Sequence, residues 1–204
     1  MKTILNPVEH QVKIKGSSFY GIVFPVQSGP AFNEHLLAIK KKYRNASHYG
    51  QAYRLKIPSF EEFSSDDGEP KGTTGLPMLN TLKSNQLLQT GSVVVRYFGG
   101  TKLGKQGLIE AYSATLQETI GLATIKDGMH AILFELIIPY EKKSTIDRFY
   151  TTVSVKQAHI EYGEQITEQV YCSIEDVDTF EDQLNAYAFQ DVSFKKLEET
   201  FIIL

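Results

Sequence analysis

The sequence has a single cysteine, Cys172, among its 204 residues, and it has no tryptophan. One thiol cannot form an internal disulfide or a cysteine-based metal site, and the apolar neighbours of Cys172 predict a buried thiol in a strand. No apolar run approaches the roughly 20 residues that a membrane-spanning helix needs. The first residues also lack the apolar segment of a secretory signal. We therefore expect a cytoplasmic protein with no membrane partner.

The net charge is only −3, but it is unevenly distributed along the chain. Residues 1–134 carry 15 Lys and Arg against 10 Asp and Glu, whereas residues 135–204 carry 6 against 14. This asymmetry predicts two domains, 1–134 and 135–204, that face different partners. The basic half is compatible with a nucleic-acid surface, and the acidic half with a basic protein partner.

The pattern of apolar residues predicts an α+β protein. In the first domain we expect strands at 10–15, 17–26, 46–57 and 93–95, and helices at 30–43, 76–82 and 108–126. Turns are expected at Thr90-Gly91 and Asp127-Gly128. In the second domain we expect strand 130–138, helix 141–154, strands 157–163 and 166–174, helix 176–187 and strand 192–203. This βαββαβ order is the ferredoxin-like arrangement.

Two glycine-rich segments, 66–75 and 96–104, are the most informative feature of the sequence. Each places glycine beside charged and hydroxyl side chains, next to an apolar element. Glycine allows the backbone to approach a ligand closely, and loops held by regular elements are common binding sites. Because each segment also precedes a predicted helix, the free amides at the helix start favour an anion. We expect the two segments to form one composite site.

Other chemistry fits these segments less well. Three acidic residues, Asp66, Asp67 and Glu69, offer oxygen ligands, but their spacing lacks the pattern of a calcium loop. Paired carboxylates could act as acid and base, although solvated loop carboxylates and helix caps are the simpler interpretation. His48 could be a base or a structural hydrogen-bond anchor. We assign no catalytic residue, no metal site and no cofactor.

The residues near the two segments divide into two groups of candidates. Cations, a hydroxyl and interleaved aromatic rings are typical of surfaces that bind phosphates and stack bases. The candidate nucleic-acid or anion contacts are Arg54, Lys71, Thr73, Arg96, Lys102 and Lys105. The residues expected to shape the loops, or to form an alternative ligand site, are His48, Asp66, Asp67, Glu69, Gly72, Gly99, Gly100 and Gly104.

Three motifs in consistent order resemble the YigZ/IMPACT family over roughly residues 10–126. They are Ala46-x-His48 with Ala52-Tyr53-Arg54, Asp66-Asp67-Gly68-Glu69-Pro70-x-Gly72-Thr73, and Val95-Arg96-Tyr97-Phe98-Gly99-Gly100-x-Lys102-Leu103-Gly104 with Gly107-Leu108 and Ala111-Tyr112. The resemblance implies a first domain like the second domain of a small-subunit ribosomal protein and domain four of elongation factor G. That fold has an unusual left-handed βαβ crossover. It also implies a ferredoxin-like second domain similar to the last domain of the same factor.

The resemblance and the charge pattern together predict a non-enzymatic binding protein that contacts structured RNA or the ribosome. Eukaryotic relatives restrain the general amino-acid control response, so the family resemblance implies a link to the regulation of translation. One alternative is an enzyme or sensor for a small phosphorylated or peptide-like ligand, bound between the loops where His48, Asp67, Glu69 and Arg96 converge. Another is an adaptor whose acidic second domain binds a protein partner.

Overall fold

The computed structural model describes residues 1–188 and 191–204 and has the predicted α+β architecture. This part of the chain forms two compact units. Unit 1 contains Met1–Gly128 together with Ile203–Leu204, and unit 2 contains Met129–Ile202. The boundary predicted between residues 134 and 135 falls inside a continuous strand, Ile125–Ile138.

The elements are numbered in chain order. The strands are β1 (Lys2–Ile4), β2 (Val8–Ile14), β3 (Ser17–Pro25), β4 (His48–Leu55), β5 (Glu61–Ser65), β6 (Thr90–Tyr97), β7 (Ile125–Ile138), β8 (Val155–Tyr162), β9 (Ile166–Ser173) and β10 (Ser193–Ile203). The helices are α1 (Gly29–Lys42), α2 (Gly75–Ser84), α3 (Gly104–Gly121), α4 (Tyr140–Tyr150) and α5 (Val177–Ala188).

Unit 1 is built on a sheet with the strand order β2-β3-β6-β4-β5, in which every neighbouring pair is antiparallel. Helix α1 packs on one face, where Phe32 and Ile39 join the rings of Phe24 and Tyr53. Helices α2 and α3 cover the other face. Because β3 and β4 are both antiparallel to β6, they run parallel to each other and α1 crosses between them. The left-handed sense of this crossover stays a prediction.

Helix α1, predicted at 30–43 and found at Gly29–Lys42, has stabilising residues at both ends. Ser28 caps its start, since the Ala31 amide donates to Ser28 Oγ at 3.2 Å, and Pro30 lies in the first turn, where no amide donor is needed. The basic run Lys40-Lys41-Lys42 occupies the last turn, where cations are favoured by the helix dipole.

Unit 2 has the predicted order β7-α4-β8-β9-α5-β10. Strand β9 pairs antiparallel with both β7 and β8, and β10 pairs with β7. The side chains of Phe134, Ile146, Val170 and Phe180 form its core between the sheet and the two helices. Cys172 lies in this core, and burial raises the pKa of its thiol to about 12. The ferredoxin-like arrangement of unit 2 is confirmed.

Two predicted turns are wrong. Thr90 and Gly91 are the first residues of β6, and Asp127 and Gly128 lie inside β7. Gly91 serves packing and not a turn, because the rings of Phe24 and Phe32 occupy the space that a side chain would need. Among the described residues, no helix is both long and apolar enough to cross a bilayer.

Replacing Gly91 with alanine should destabilise unit 1. An added Cβ would lie 2.7 Å from Phe24 and 2.8 Å from Phe32, and such overpacking costs about 1–3 kcal/mol. The free energy of unfolding measured in urea checks this expectation. Gly121→Ala is the matched control, because a Cβ there meets no atom within 4 Å. Equal stability of the two variants would contradict the tight packing at Gly91.

Candidate binding site at two glycine-rich loops

The first glycine-rich loop, residues 66–75, is wound around the carboxylate of Asp66. Oδ1 accepts hydrogen bonds from the amides of Thr74 and Gly75 at 2.9 Å, and Oδ2 accepts one from Gly72 at 2.8 Å. Burial disfavours ionisation, but these amides outweigh it and hold the pKa of Asp66 below its ordinary value of 3.8. Asp66 therefore stabilises both the loop and the start of α2.

Asp67 attaches the same loop to strand β4. Its Oδ2 accepts a hydrogen bond from the Tyr49 amide at 2.8 Å, and its carbonyl oxygen lies 2.9 Å from Nδ1 of His48. Lys40 Nζ lies 3.6 Å from the other carboxylate oxygen. Asp67 has a φ of 46°, a left-handed conformation that these contacts hold in place. Both aspartates are thus engaged by the protein's own backbone.

A buried ion pair joins the two loops. Arg96 NH1 donates to Glu69 Oε1 at 2.6 Å, and the two side chains are 6% and 5% exposed. The hydroxyl of Tyr112 donates to the same oxygen at 3.0 Å, and His48 Nε2 lies 3.8 Å from Oε2. Burial, followed by the charge of Glu69, raises the pKa of Tyr112. Glu69 therefore connects the first loop to β6 and α3.

Arg96 is held against aromatic rings. Its guanidinium carbon lies 5.5 Å from the ring centres of Phe19 and Phe98, within the range of cation–π contacts. Glu69 is the one side chain among the described residues that accepts a hydrogen bond from Arg96, and Nε is buried without any hydrogen-bond acceptor. The guanidinium thus has donor capacity that the described fold does not use.

The predicted segment 96–104 begins with Arg96 and Tyr97, the last two residues of β6, and ends at Gly104, the first residue of α3. The second glycine-rich loop itself is residues 98–103. The backbones of Gly99 and Gly16 lie so close together that a side chain at Gly99 would not fit. Its Cβ would lie 1.9 Å from the Gly16 carbonyl oxygen. Gly104 has a φ of 71° at the first residue of α3, where no side chain caps the free amides. Lys102 and Lys105 flank this uncapped helix start and are exposed.

A cavity of about 280 Å³ lies where the loops meet. Its lining is mainly apolar and includes Pro70, Phe98, Leu103 and Leu108. The charged residues on its wall are Glu69, Arg96, Lys102 and Lys105. Residues from both predicted segments therefore border one space.

Three predicted phosphate contacts are used inside the fold instead. Arg54 lies near the other end of β4, where its Nε donates to Glu62 at 2.9 Å and its NH1 to the Leu87 carbonyl. Thr73 is buried and donates to the Pro70 carbonyl at 2.7 Å. Arg96 is paired with Glu69. We therefore no longer assign direct phosphate contact to these three residues, and it stays a prediction for Lys71, Lys102 and Lys105.

The sequence did not identify every residue of this cluster. Tyr112 belongs to a family motif, but its hydroxyl bond to Glu69 had no separate signal. Ser17, whose hydroxyl accepts the Gly99 amide at 3.1 Å, lies far from the loops in sequence. Within residues 1–188 and 191–204, no group of three His, Cys, Asp or Glu residues is placed to hold a metal ion.

Comparison with known proteins now places this site in a family. A family model, the Impact N-terminal domain, matches residues 15–120, which include both loops, β3 to β6 and nearly all of α3. The chain belongs to the IMPACT family. The match covers most of unit 1 and none of unit 2.

Three similar proteins extend the comparison beyond that domain. The IMPACT family member YvyE of Bacillus subtilis is 28% identical over 200 residues, 98% of this chain and 92% of that protein. The member YigZ of Escherichia coli is 29% identical over 143 residues, 69% of this chain and 70% of that protein. A crystal structure of a hypothetical protein superposes with a TM-score of 0.66 at 25% identity, covering 98% of both chains. This IMPACT family member therefore resembles two of these proteins along nearly its whole length.

Removing the charge of Glu69 should be costly, because it leaves Arg96 buried without a counter-charge. We expect Glu69→Gln to lower the free energy of unfolding by about 3–5 kcal/mol. Arg96→Met should cost a similar amount, and the double variant less than the sum of the two. Urea unfolding of the four proteins measures this coupling. The exposed Lys42–Glu9 pair provides a control cycle with an expected coupling below about 1 kcal/mol. Equal coupling in both cycles would contradict the special role of Glu69.

Acid should remove the contribution of Asp66. Because its folded pKa is lowered, this stabilisation is complete above the ordinary value of 3.8 and is lost as the pH falls through the folded pKa. At neutral pH we expect Asp66→Asn to cost about 1.5–3 kcal/mol, the range for hydrogen bonds to a charged group. The difference from the natural protein should narrow between about pH 5 and about pH 2. Exposed Asp127→Asn is the control, and a gap that stays constant with pH would refute this assignment.

Proposed function

We propose that this IMPACT family member is a non-enzymatic binding protein that contacts RNA or the ribosome and is linked to the regulation of translation. The observation that supports it best is the cluster of exposed cations around the start of α3. Neither Lys102 nor Lys105 has a carboxylate within 4 Å among the described residues. Their charges remain available to a phosphate.

The acidic residues of the first loop do not oppose this proposal. The Asp66 carboxylate is turned toward three backbone amides, that of Asp67 toward Tyr49 and Lys40, and that of Glu69 toward Arg96. Each negative charge is therefore partly compensated from within the protein. A phosphate that approaches Lys102 and Lys105 meets less repulsion than the sequence suggests.

The link to translation is supported by the family. The Dictyostelium discoideum protein IMPACT homolog is 38% identical over 82 residues, 39% of this chain and 23% of that protein. The family resemblance implies restraint of the general amino-acid control response by eukaryotic members and a fold shared with translation proteins. We propose that this chain also acts in the regulation of translation, but we do not assign it to that response.

The alternative, an enzyme or sensor for a small ligand, has less support. It requires His48, Asp67, Glu69 and Arg96 to converge in one pocket. Glu69 and Arg96 line the cavity, but His48 and Asp67 are not among its lining residues. A protein partner for the acidic residues 135–204 stays a separate proposal.

The proposal predicts salt-dependent RNA binding that needs three lysines. We expect the affinity for a labelled RNA, measured by fluorescence anisotropy with the full chain, to fall steeply with salt. The variant Lys71→Gln, Lys102→Gln, Lys105→Gln should bind at least about tenfold more weakly and should reduce the salt slope by about 2, since each phosphate contact contributes about 0.7.

The control variant removes three exposed lysines, Lys2, Lys56 and Lys126, that lie toward the other end of β6. The Lys2 carbonyl accepts from the Leu88 amide, the Lys56 amide donates to Gln89, and Lys126 is opposite Thr3, whose hydroxyl donates to the Gln89 carbonyl. The same net charge is lost, but the affinity should change little. RNA binding that ignores salt, or equal losses in both variants, would rule out this surface.

A further inference from the structure

We infer that the cavity between the loops is a seat for one nucleotide of a single-stranded RNA. The base would pack against Phe98 and Leu103, and its phosphate would lie at the start of α3 beside Lys102 and Lys105. This inference rests on the proposed RNA contact and specifies which form of RNA the site takes. Four features of the cavity support it.

The first feature is an exposed aromatic ring on an apolar wall. Phe98 is 50% exposed although it follows a buried strand, and it lines the cavity with Pro70, Leu103 and Leu108. The Arg96 guanidinium lies over the ring, which fixes its position. Flat rings held in this way are stacking surfaces for bases in proteins that bind single strands.

The second feature is the anion site at the edge of this wall. Helix α3 has 18 residues, no acidic residue in its first turn and no side-chain cap at Leu103. Its free amides and dipole favour a negative group at Gly104. Lys102 and Lys105 add two positive charges on either side of that residue. A phosphate and a base would therefore occupy adjacent parts of one cavity.

The third feature is the unused donor capacity of Arg96. This side chain is buried and lines the cavity, and its Nε has no acceptor among the described residues. Glu69 holds the guanidinium in place through NH1. A carbonyl oxygen on a base edge would supply the kind of acceptor that this group lacks. Such a contact is compatible with an uncharged base, because Glu69 already balances the charge of Arg96.

The fourth feature is size. A volume of about 280 Å³ is at the lower limit of small-ligand pockets, which suits one base with its phosphate. A base pair in a duplex keeps its faces stacked on its neighbours and cannot enter such a cavity. Single-stranded loops and ends, whose bases can turn outward, are the RNA elements that a seat of this kind recognises.

A tryptophan at position 98 provides a direct test, because the natural chain has none. In Phe98→Trp, the indole is the sole tryptophan and should be quenched when a base stacks on it. We expect saturable quenching by uridine 5′-monophosphate and by an oligouridylate of eight residues. Uridine without phosphate, and inorganic phosphate alone, should bind at least about tenfold more weakly. A blunt-ended, fully paired RNA duplex, which has no loop, should cause no quenching.

Variants of the full chain separate this seat from the surface cations. Phe98→Ala should weaken binding of the oligouridylate about tenfold, within the range for loss of one stacked base, and should leave the salt slope unchanged. In the Phe98→Trp variant, adding Lys102→Gln with Lys105→Gln should lower the affinity for the oligouridylate, measured by quenching, at least about tenfold. Adding Lys2→Gln with Lys126→Gln should leave this affinity unchanged. Circular dichroism of each variant confirms that it is folded.

The outcomes distinguish the two proposals. If the oligouridylate binds with lysine dependence, but Phe98→Ala binds equally well or paired RNA quenches as strongly, the nucleotide seat is overturned and the RNA contact stands. If the lysine variants bind RNA normally, the proposed function itself fails. Displacement of the oligouridylate by a phosphoserine peptide of comparable affinity would also overturn the seat, because a peptide has no base to stack.

Discussion

The buried ion pair between Glu69 and Arg96 is the interaction on which the candidate site depends. Burying two charges is expensive, and the pair is tolerable only with close geometry and further hydrogen bonds. The 2.6 Å contact and the Tyr112 hydroxyl meet that requirement. Because Glu69 belongs to one loop and Arg96 to the strand that leads into the other, the same contact fixes both walls of the cavity. The relative position of these two walls is therefore determined by a buried contact and not by exposed loop residues.

The acidic and basic side chains of the site face different surroundings. The acidic side chains of the first loop serve the protein's own backbone and Arg96, whereas Lys102 and Lys105 remain at the surface. A segment rich in aspartate and glutamate can thus border the proposed phosphate-binding surface. The composition of the loop does not reveal this arrangement, because it gives the number of charges but not the groups that each carboxylate contacts.

Elements with a strong apolar period were predictable from the sequence. Helices α1 and α3 and the order of unit 2 follow patterns that few other structures satisfy. Strand β5 was not predicted, because Glu61 and Glu62 make it polar and it lies at the sheet edge, where one side of the ladder is unpaired. The sequence also identified both loops, since glycine and charge seldom coincide within core elements.

The exposure of individual cations was not predictable, for a topological reason. Strand β6 is covered by α1 on one face and by α2 and α3 on the other, so residues from Thr90 to Arg96 are all buried and alternation carries no information. Arg54 was grouped with the site because its motif is adjacent in sequence. The register pairs His48 with Arg96 and Arg54 with Thr90, which places Arg54 toward the opposite end of the sheet.

The distribution of charge bears on how such a site would select its ligand. Residues 129–134 contain no Lys, Arg, Asp or Glu, so the basic and acidic counts are the same for the two units as for the predicted domains. With a net charge of −3, the whole chain gains little from long-range attraction to RNA, and screening limits each charge to about 8 Å at physiological salt. Binding then depends on contacts made at short range. A few cations beside a shaped cavity satisfy that condition better than cations alone, because the cavity adds an interaction that salt does not screen.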